Sequence, residues 1–169
     1  MSSGWELPTG AFEWIEKNIP FGSKIVELGS GYGSVRLSKN YEVTSIEHNE
    51  FWLNLAPSKY IHAEITPYSI DVSEGLWYDP EKIERDIPKK YDLLIIDGPP
   101  SDIGRIGIMH FKNIFYWDCY VLVDDTHRTE EKIITKDLIS KQSFSCLAFT
   151  EYYEPSNTYR EFTILTPER

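Results

Sequence analysis

Short apolar runs alternate along this chain with longer stretches in which apolar residues recur every three or four positions. Lys24 to Leu28 (KIVEL), Val43 to Glu47 (VTSIE), Tyr60 to Ile65 (YIHAEI), Asp92 to Asp97 (DLLIID) and Tyr120 to Asp125 (YVLVDD) read as strands. The last two are continuous Ile/Leu/Val runs, the pattern of strands buried on both faces of a parallel sheet. Helices are predicted between them at Ala11 to Asn18, Ser34 to Lys39, Asn49 to Leu55, Ile103 to Tyr116 and Glu130 to Gln142, the last with Ile133, Ile134, Leu138 and Ile139 as its apolar stripe and Thr129 as its N-cap. The rhythm changes at the end. Two strand-like runs, from Ser143 or Phe144 to Tyr153 and from Thr158 to Leu165, are joined only by Glu154-Pro155-Ser156-Asn157, which makes a hairpin. The expected fold is α/β: a doubly wound, mostly parallel seven-stranded sheet ending in an antiparallel hairpin. Thr66 to Lys90, polar and containing three prolines, reads as a long loop with one helical turn at most.

The length of 169 residues suits one domain spanning 1–169, and 41% hydrophobic with 14% aromatic residues is enough to fill its core. Acidic residues exceed basic ones by 27 to 17, for a net charge of −10. A surface that neutralises phosphates carries the opposite balance, so neither nucleic acid nor an anionic membrane is an expected partner. No apolar run reaches the roughly 18–20 residues that span a bilayer, and the N-terminus has no signal-like pattern. Cys119 and Cys146 match no ligand spacing and read as reduced thiols, which places the protein in a cytoplasm. No feature specifies an oligomeric state.

The strongest motif is Val26-Glu27-Leu28-Gly29-Ser30-Gly31-Tyr32-Gly33, after the first strand and before a helix. Its glycines allow positive φ and close approach of backbone to a ligand. A dinucleotide fingerprint would need glycine at 34, where Ser34 stands. Glu27 would repel a pyrophosphate but could hold an ammonium group. Glu47, ending the second strand, is placed to accept both hydroxyls of a ribose.

This combination resembles the class I S-adenosylmethionine-dependent methyltransferases, whose motif runs acid-x-Gly-x-Gly-x-Gly. The resemblance covers most of the chain, including the terminal hairpin and the YDLLIID run, and implies a Rossmann-like methyltransferase fold with S-adenosylmethionine as cofactor. It implies that Gly29, Ser30, Gly31, Tyr32 and Gly33 wrap the methionine and sugar portions, with Glu27 facing the ammonium and Glu47 the ribose diol. His48 either covers the ribose or adenine edge or is exposed, and the region around Ala63, Glu64 and Ile65 would lie near the adenine.

The fourth strand ends in Asp97-Gly98-Pro99-Pro100 and the fifth in Asp124-Asp125-Thr126-His127, so three carboxylates share one rim of the sheet. Hard cations such as Mg²⁺ or Mn²⁺ take such oxygen ligands. The pattern resembles the metal-dependent O-methyltransferases, catechol-type and sugar-type, and implies Asp97, Asp124 and Asp125 as metal ligands, with Asp97 at the catalytic centre. The other reading leaves Asp97 lining the cofactor pocket and the Asp124–Asp125 pair capping a helix or facing solvent. Where many such enzymes carry a Lys or His base, three residues after the fourth-strand Asp, this chain has Pro100. His127 is then the first candidate base, with Asp102 and His110 behind it.

Acceptor specificity is expected from the N-terminal segment (Trp5, Phe12, Trp14), the 66–90 loop and the 98–107 loop. Trp77 and Tyr78 read as a satellite cluster pinning the loop, or as a stacking surface for a flat ring. Arg105 would pair either with a substrate anion or with a protein carboxylate. The resulting expectation is methyl transfer to a hydroxyl of a small acceptor, a sugar or phenol. The alternative is a protein that binds S-adenosylmethionine or S-adenosylhomocysteine without turnover.

Overall fold

In a computed structural model, which describes residues 6–168, the chain forms a seven-stranded sheet with helices on both faces. Its strands are β1 (Lys24–Leu28), β2 (Glu42–Glu47), β3 (Lys59–His62), β6 (Leu93–Ile96), β7 (Tyr120–Asp124), β8 (Phe144–Tyr153) and β9 (Thr158–Pro167). The spatial order is β3-β2-β1-β6-β7-β9-β8. β1, β2, β3, β6 and β7 are mutually parallel, whereas β9 runs antiparallel to both β7 and β8. The expected parallel sheet with a closing hairpin is what forms.

Alternation along the central strands explains the two cores. Val26 and Leu28 of β1 pack on one face with Ile46, Leu94, Ile96, Val121 and Val123, beneath α3 (Pro80–Asp86) and α4 (Thr129–Gln142). Ile25 packs on the other face with Val43, Leu93, Ile95 and Leu122, against α1 (Thr9–Asn18) and Leu37 of α2 (Tyr32–Leu37). Because both faces are covered, the strands carry apolar residues at successive positions, and β6 is buried at all four.

Several elements differ from expectation. The 66–90 region is not a loop: β4 (Ile65–Ile70) and β5 (Ser73–Tyr78) form a separate antiparallel hairpin, and α3 follows. Its period-2 pattern is weak because the tip is exposed, with Val72 fully so. Asp79 caps α3 by accepting the N–H groups of Glu81 and Lys82, and Pro80 occupies the first turn, a helix-start signal set within the polar run. The helices expected at 49–55 and 103–116 shrink to 3-10 turns at Glu50–Trp52, Ile106–Met109 and Lys112–Ile114. Here packing of Ile108 and Phe115 into the core overrides helical period. Thr129 is the first residue of α4 rather than its cap; Arg128 precedes it in extended backbone without a capping side chain. None of the helices among the described residues is long and apolar enough to cross a membrane.

Candidate active site

β1 lies between β2 and β6, so the chain leaves its carboxyl end toward one side of the sheet and later returns on the other, the switch point where open α/β sheets take ligands. A cavity of about 990 Å³ opens there, comparable to the upper range of small-molecule pockets. Ser30, Gly31, Tyr32 and Gly33 line it beside Glu27, Gly29, Glu47 and His48.

Gly29 needs its residue type. Its φ is +89°, and a Cβ there would sit 3.2 Å from the Asp97 carbonyl oxygen. Its N–H donates to Ile46 O at 2.9 Å, tying the loop to β2. Ser34 Oγ accepts the Gly31 N–H at 3.0 Å, so the serine that breaks the dinucleotide fingerprint holds the loop from within.

The two glutamates differ in environment. Glu27 is buried, and Ser45 donates to its Oε1 at 2.5 Å. Burial pushes its carboxyl up to about 7, partly offset by hydrogen bonds from Ser34 and Ser45, while Glu47 adds repulsion. An arriving ammonium would replace that lost hydration. Glu47 is also buried, but its oxygens accept backbone N–H groups from Ser30 (2.9 Å), His48 (2.8 Å) and Asn49 (2.8 Å). Three backbone donors fix this carboxylate as an acceptor aimed at the cavity. His48 is half-buried, with Nδ1 at 3.0 Å from Glu47 Oε1.

Glu64 and its neighbours do not join this group. Ala63 is wholly buried and continues the parallel pairing through its N–H to Glu47 O. Glu64, in the link between β3 and β4, faces solvent, and its carbonyl accepts Asp79 N–H at the base of the added hairpin. Neither Glu64 nor Ile65 lines the cavity; Asn49 and Trp52 do.

At the other end of the cavity, Asp97, Asp124 and Asp125 converge, each offering an oxygen within 4.8 Å of the others. A buried guanidinium organises them. Arg105, 4% exposed, donates to Asp97 Oδ1 (3.0 Å), Asp125 Oδ2 (3.2 Å) and the carbonyls of Asp97, Pro99 and Asp124, and lies 3.5 Å from Glu131. Arg128 reaches Asp125 Oδ2 at 2.9 Å, and Arg160 reaches Asp124 Oδ2 at 3.1 Å. Thus Arg105 belongs to a protein ion-pair network, the second of the two readings open from sequence.

Negative charge is still in excess. Burial and the neighbouring Asp124 raise the Asp97 carboxyl well above its usual range, against the pull of Arg105. Burial and Asp125 raise that of Asp124, against Arg160. Asp124 Oδ1 is buried with no hydrogen-bond partner among the described residues. Each aspartate thus has one oxygen oriented by arginine, and the set retains oxygens of the kind a hard divalent cation takes. The residues fit such an ion.

His127 and Asp102 are exposed at the cavity wall, while His110 sits against Tyr68 and does not line it. Of the N-terminal segment, Trp5 lies outside the described residues, Phe12 is core beneath Gly33, and Trp14 packs edge-on against Tyr120. Glu6 and Leu7 line the cavity instead. Trp77 stacks on Phe111 in the core, in keeping with the pinning role, whereas Tyr78 borders the cavity. Tyr153 and Tyr159, which from sequence read as ordinary aromatics of a half-exposed hairpin, line the cavity together with Arg160 of the same hairpin. Arg160 had no signal beyond being a lone arginine amid strand residues.

No protein-family model and no curated protein matches the sequence. Solved structures do. An O-methyltransferase from Bacillus cereus in complex with SAH superposes with a TM-score of 0.69 at 12% identity, covering 98% of this chain and 84% of that one. The O-methyltransferase TomG from Streptomyces achromogenes, in complex with SAM, gives 0.62 at 13% identity, covering 100% and 82%. An rRNA methylase from Streptococcus thermophilus gives 0.60 at 9% identity, covering 94% and 95%. The chain has the class I S-adenosylmethionine-dependent methyltransferase fold.

Proposed function

We propose that this protein transfers the methyl group of S-adenosylmethionine to a hydroxyl of a small acceptor, a sugar or phenol. The observation that carries the reading is the joining, in one cavity, of Glu27 and Glu47 beside the glycine loop with the Asp97–Asp124–Asp125 cluster. Glu27 neutralises the cofactor ammonium, and Glu47, held by three N–H groups, accepts the ribose hydroxyls. The sulfonium methyl is already activated, so the protein's task is to hold an acceptor oxygen in line and take its proton.

Asp97, Asp124 and Asp125 would hold Mg²⁺ or Mn²⁺. When bound, such an ion lowers the pKa of a coordinated hydroxyl. His127, exposed on the wall beyond the aspartates, is the side chain assigned to accept the proton. Tyr153, Tyr159 and Arg160 offer aromatic faces and a donor to the acceptor.

The test is turnover of S-adenosylmethionine with a panel of sugars and phenols, followed by release of S-adenosylhomocysteine. Product formation with any of them supports the reading. A second reading, binding without turnover, is favoured by Pro100 in the usual base position and by the arginines already paired with the aspartates. Tight cofactor binding with no turnover across the panel would select it.

A further inference from the structure

Tyr78 is the last residue of β5, paired with Ile65 where the added hairpin rejoins the domain. Its side chain is fully buried, and its hydroxyl has no hydrogen-bond partner among the described residues. Folded proteins rarely leave a buried hydroxyl unmatched. Here the mismatch lies at the cavity, which Tyr78 helps to line. The hydroxyl reaches this place because residue 98 is glycine: a Cβ there would overlap it. Neighbouring Trp77, stacked on Phe111, anchors the strand end, so the hydroxyl is held rather than free to turn away.

Its surroundings say what it can do. Burial, then the nearby Glu47, Asp97 and Glu27, keep the phenol protonated, with Arg105 opposing. It is therefore a neutral donor and not a base. The His48 ring lies 6.0 Å away, centroid to centroid, and the His48 N–H is bonded to Glu47, the residue proposed for the ribose. That contact puts Tyr78 on the proposed ribose side of the cavity.

We infer that the Tyr78 hydroxyl donates a hydrogen bond to the nucleoside half of the bound cofactor, satisfying in the complex a group left unmatched in the free protein. This rests on the cofactor reading of the cavity given above. Tyr78 is a binding residue contributed by the inserted hairpin, which makes that hairpin part of the cofactor site.

Calorimetric titration of wild type and Tyr78→Phe with S-adenosylhomocysteine and with 5′-methylthioadenosine, which lacks the amino-acid half, tests it together with melting of the ligand-free proteins. The melting temperature should be unchanged or higher in the variant, because no partner is orphaned. Affinity for both ligands should fall by about 2- to 13-fold, the range for one hydrogen bond. Wild-type affinity retained in the variant overturns the inference while leaving the cofactor reading intact. So does a loss confined to S-adenosylhomocysteine, which would put the contact on the amino-acid half, or a clearly lower ligand-free melting temperature, which would mean a partner within the protein. Failure of wild type to bind either ligand overturns the cofactor reading and this inference with it.

Discussion

Gly29 and Gly98, from the first and fourth parallel strand ends, meet in the floor of the cavity. A Cβ built on Gly98 would lie 2.8 Å from Gly29 N, and one on Gly29 would lie 3.5 Å from Gly98 Cα. Neither backbone can retreat, because Gly29 N–H is bonded to Ile46 O and Asp97 N–H to Leu28 O. Gly98→Ala should therefore cost stability by about 1–3 kcal/mol through overpacking, and weaken S-adenosylhomocysteine binding. Thermal melting and calorimetry read the two effects.

The Glu27 carboxyl, raised to about 7 from 4.5, has a proton to release when an ammonium binds. Affinity for S-adenosylhomocysteine should increase about tenfold from pH 6 to pH 8 as the carboxylate forms. Ligand-free stability should move the opposite way. The folded state holds this proton more tightly than the unfolded state, so the stability it confers is complete below pH 4.5 and is lost as pH rises through 7, by about 3 kcal/mol at most. Glu27→Gln should flatten both profiles and bind poorly at every pH.

Glu47→Ala removes the expected ribose acceptor and leaves the N–H groups of Ser30, His48 and Asn49 without their partner. Cofactor affinity should fall about 10- to 100-fold, read by calorimetry. Unchanged affinity would contradict the ribose assignment.

Activity should fall on treatment with EDTA and return with Mg²⁺ or Mn²⁺. Asp124→Asn should cripple turnover while leaving cofactor binding nearly intact, since Glu27 and Glu47 stand on β1 and β2, away from β7. Full activity of metal-stripped protein would remove the ion from the mechanism and leave the arginines as the counter-charges.

Arg105→Ala would leave Asp97, Asp125 and Glu131 without the buried cation that faces all three. Breaking one side of a buried ion-pair network typically costs about 3–5 kcal/mol, so this variant should melt far below wild type. A small loss would mean that Arg128 and Arg160 carry the compensation.

The five parallel strands, the closing hairpin and the glycine loop were legible in the sequence, because burial on both faces forces continuous apolar runs and a turn over a ligand forces glycine. For the same reason the two glutamates and three aspartates could be placed at strand ends by counting. Tertiary structure decided the rest. It folded 65–78 into a hairpin whose pattern is blurred by an exposed tip, and it left Glu64, in the link before that hairpin, facing solvent. It also brought Arg105 and Arg160, 8 and 36 residues from their nearest aspartate partners in sequence, onto one acidic cluster. Side-chain partners so far apart leave no periodicity to read, since what joins them is the charge a buried carboxylate must find once the sheet has closed.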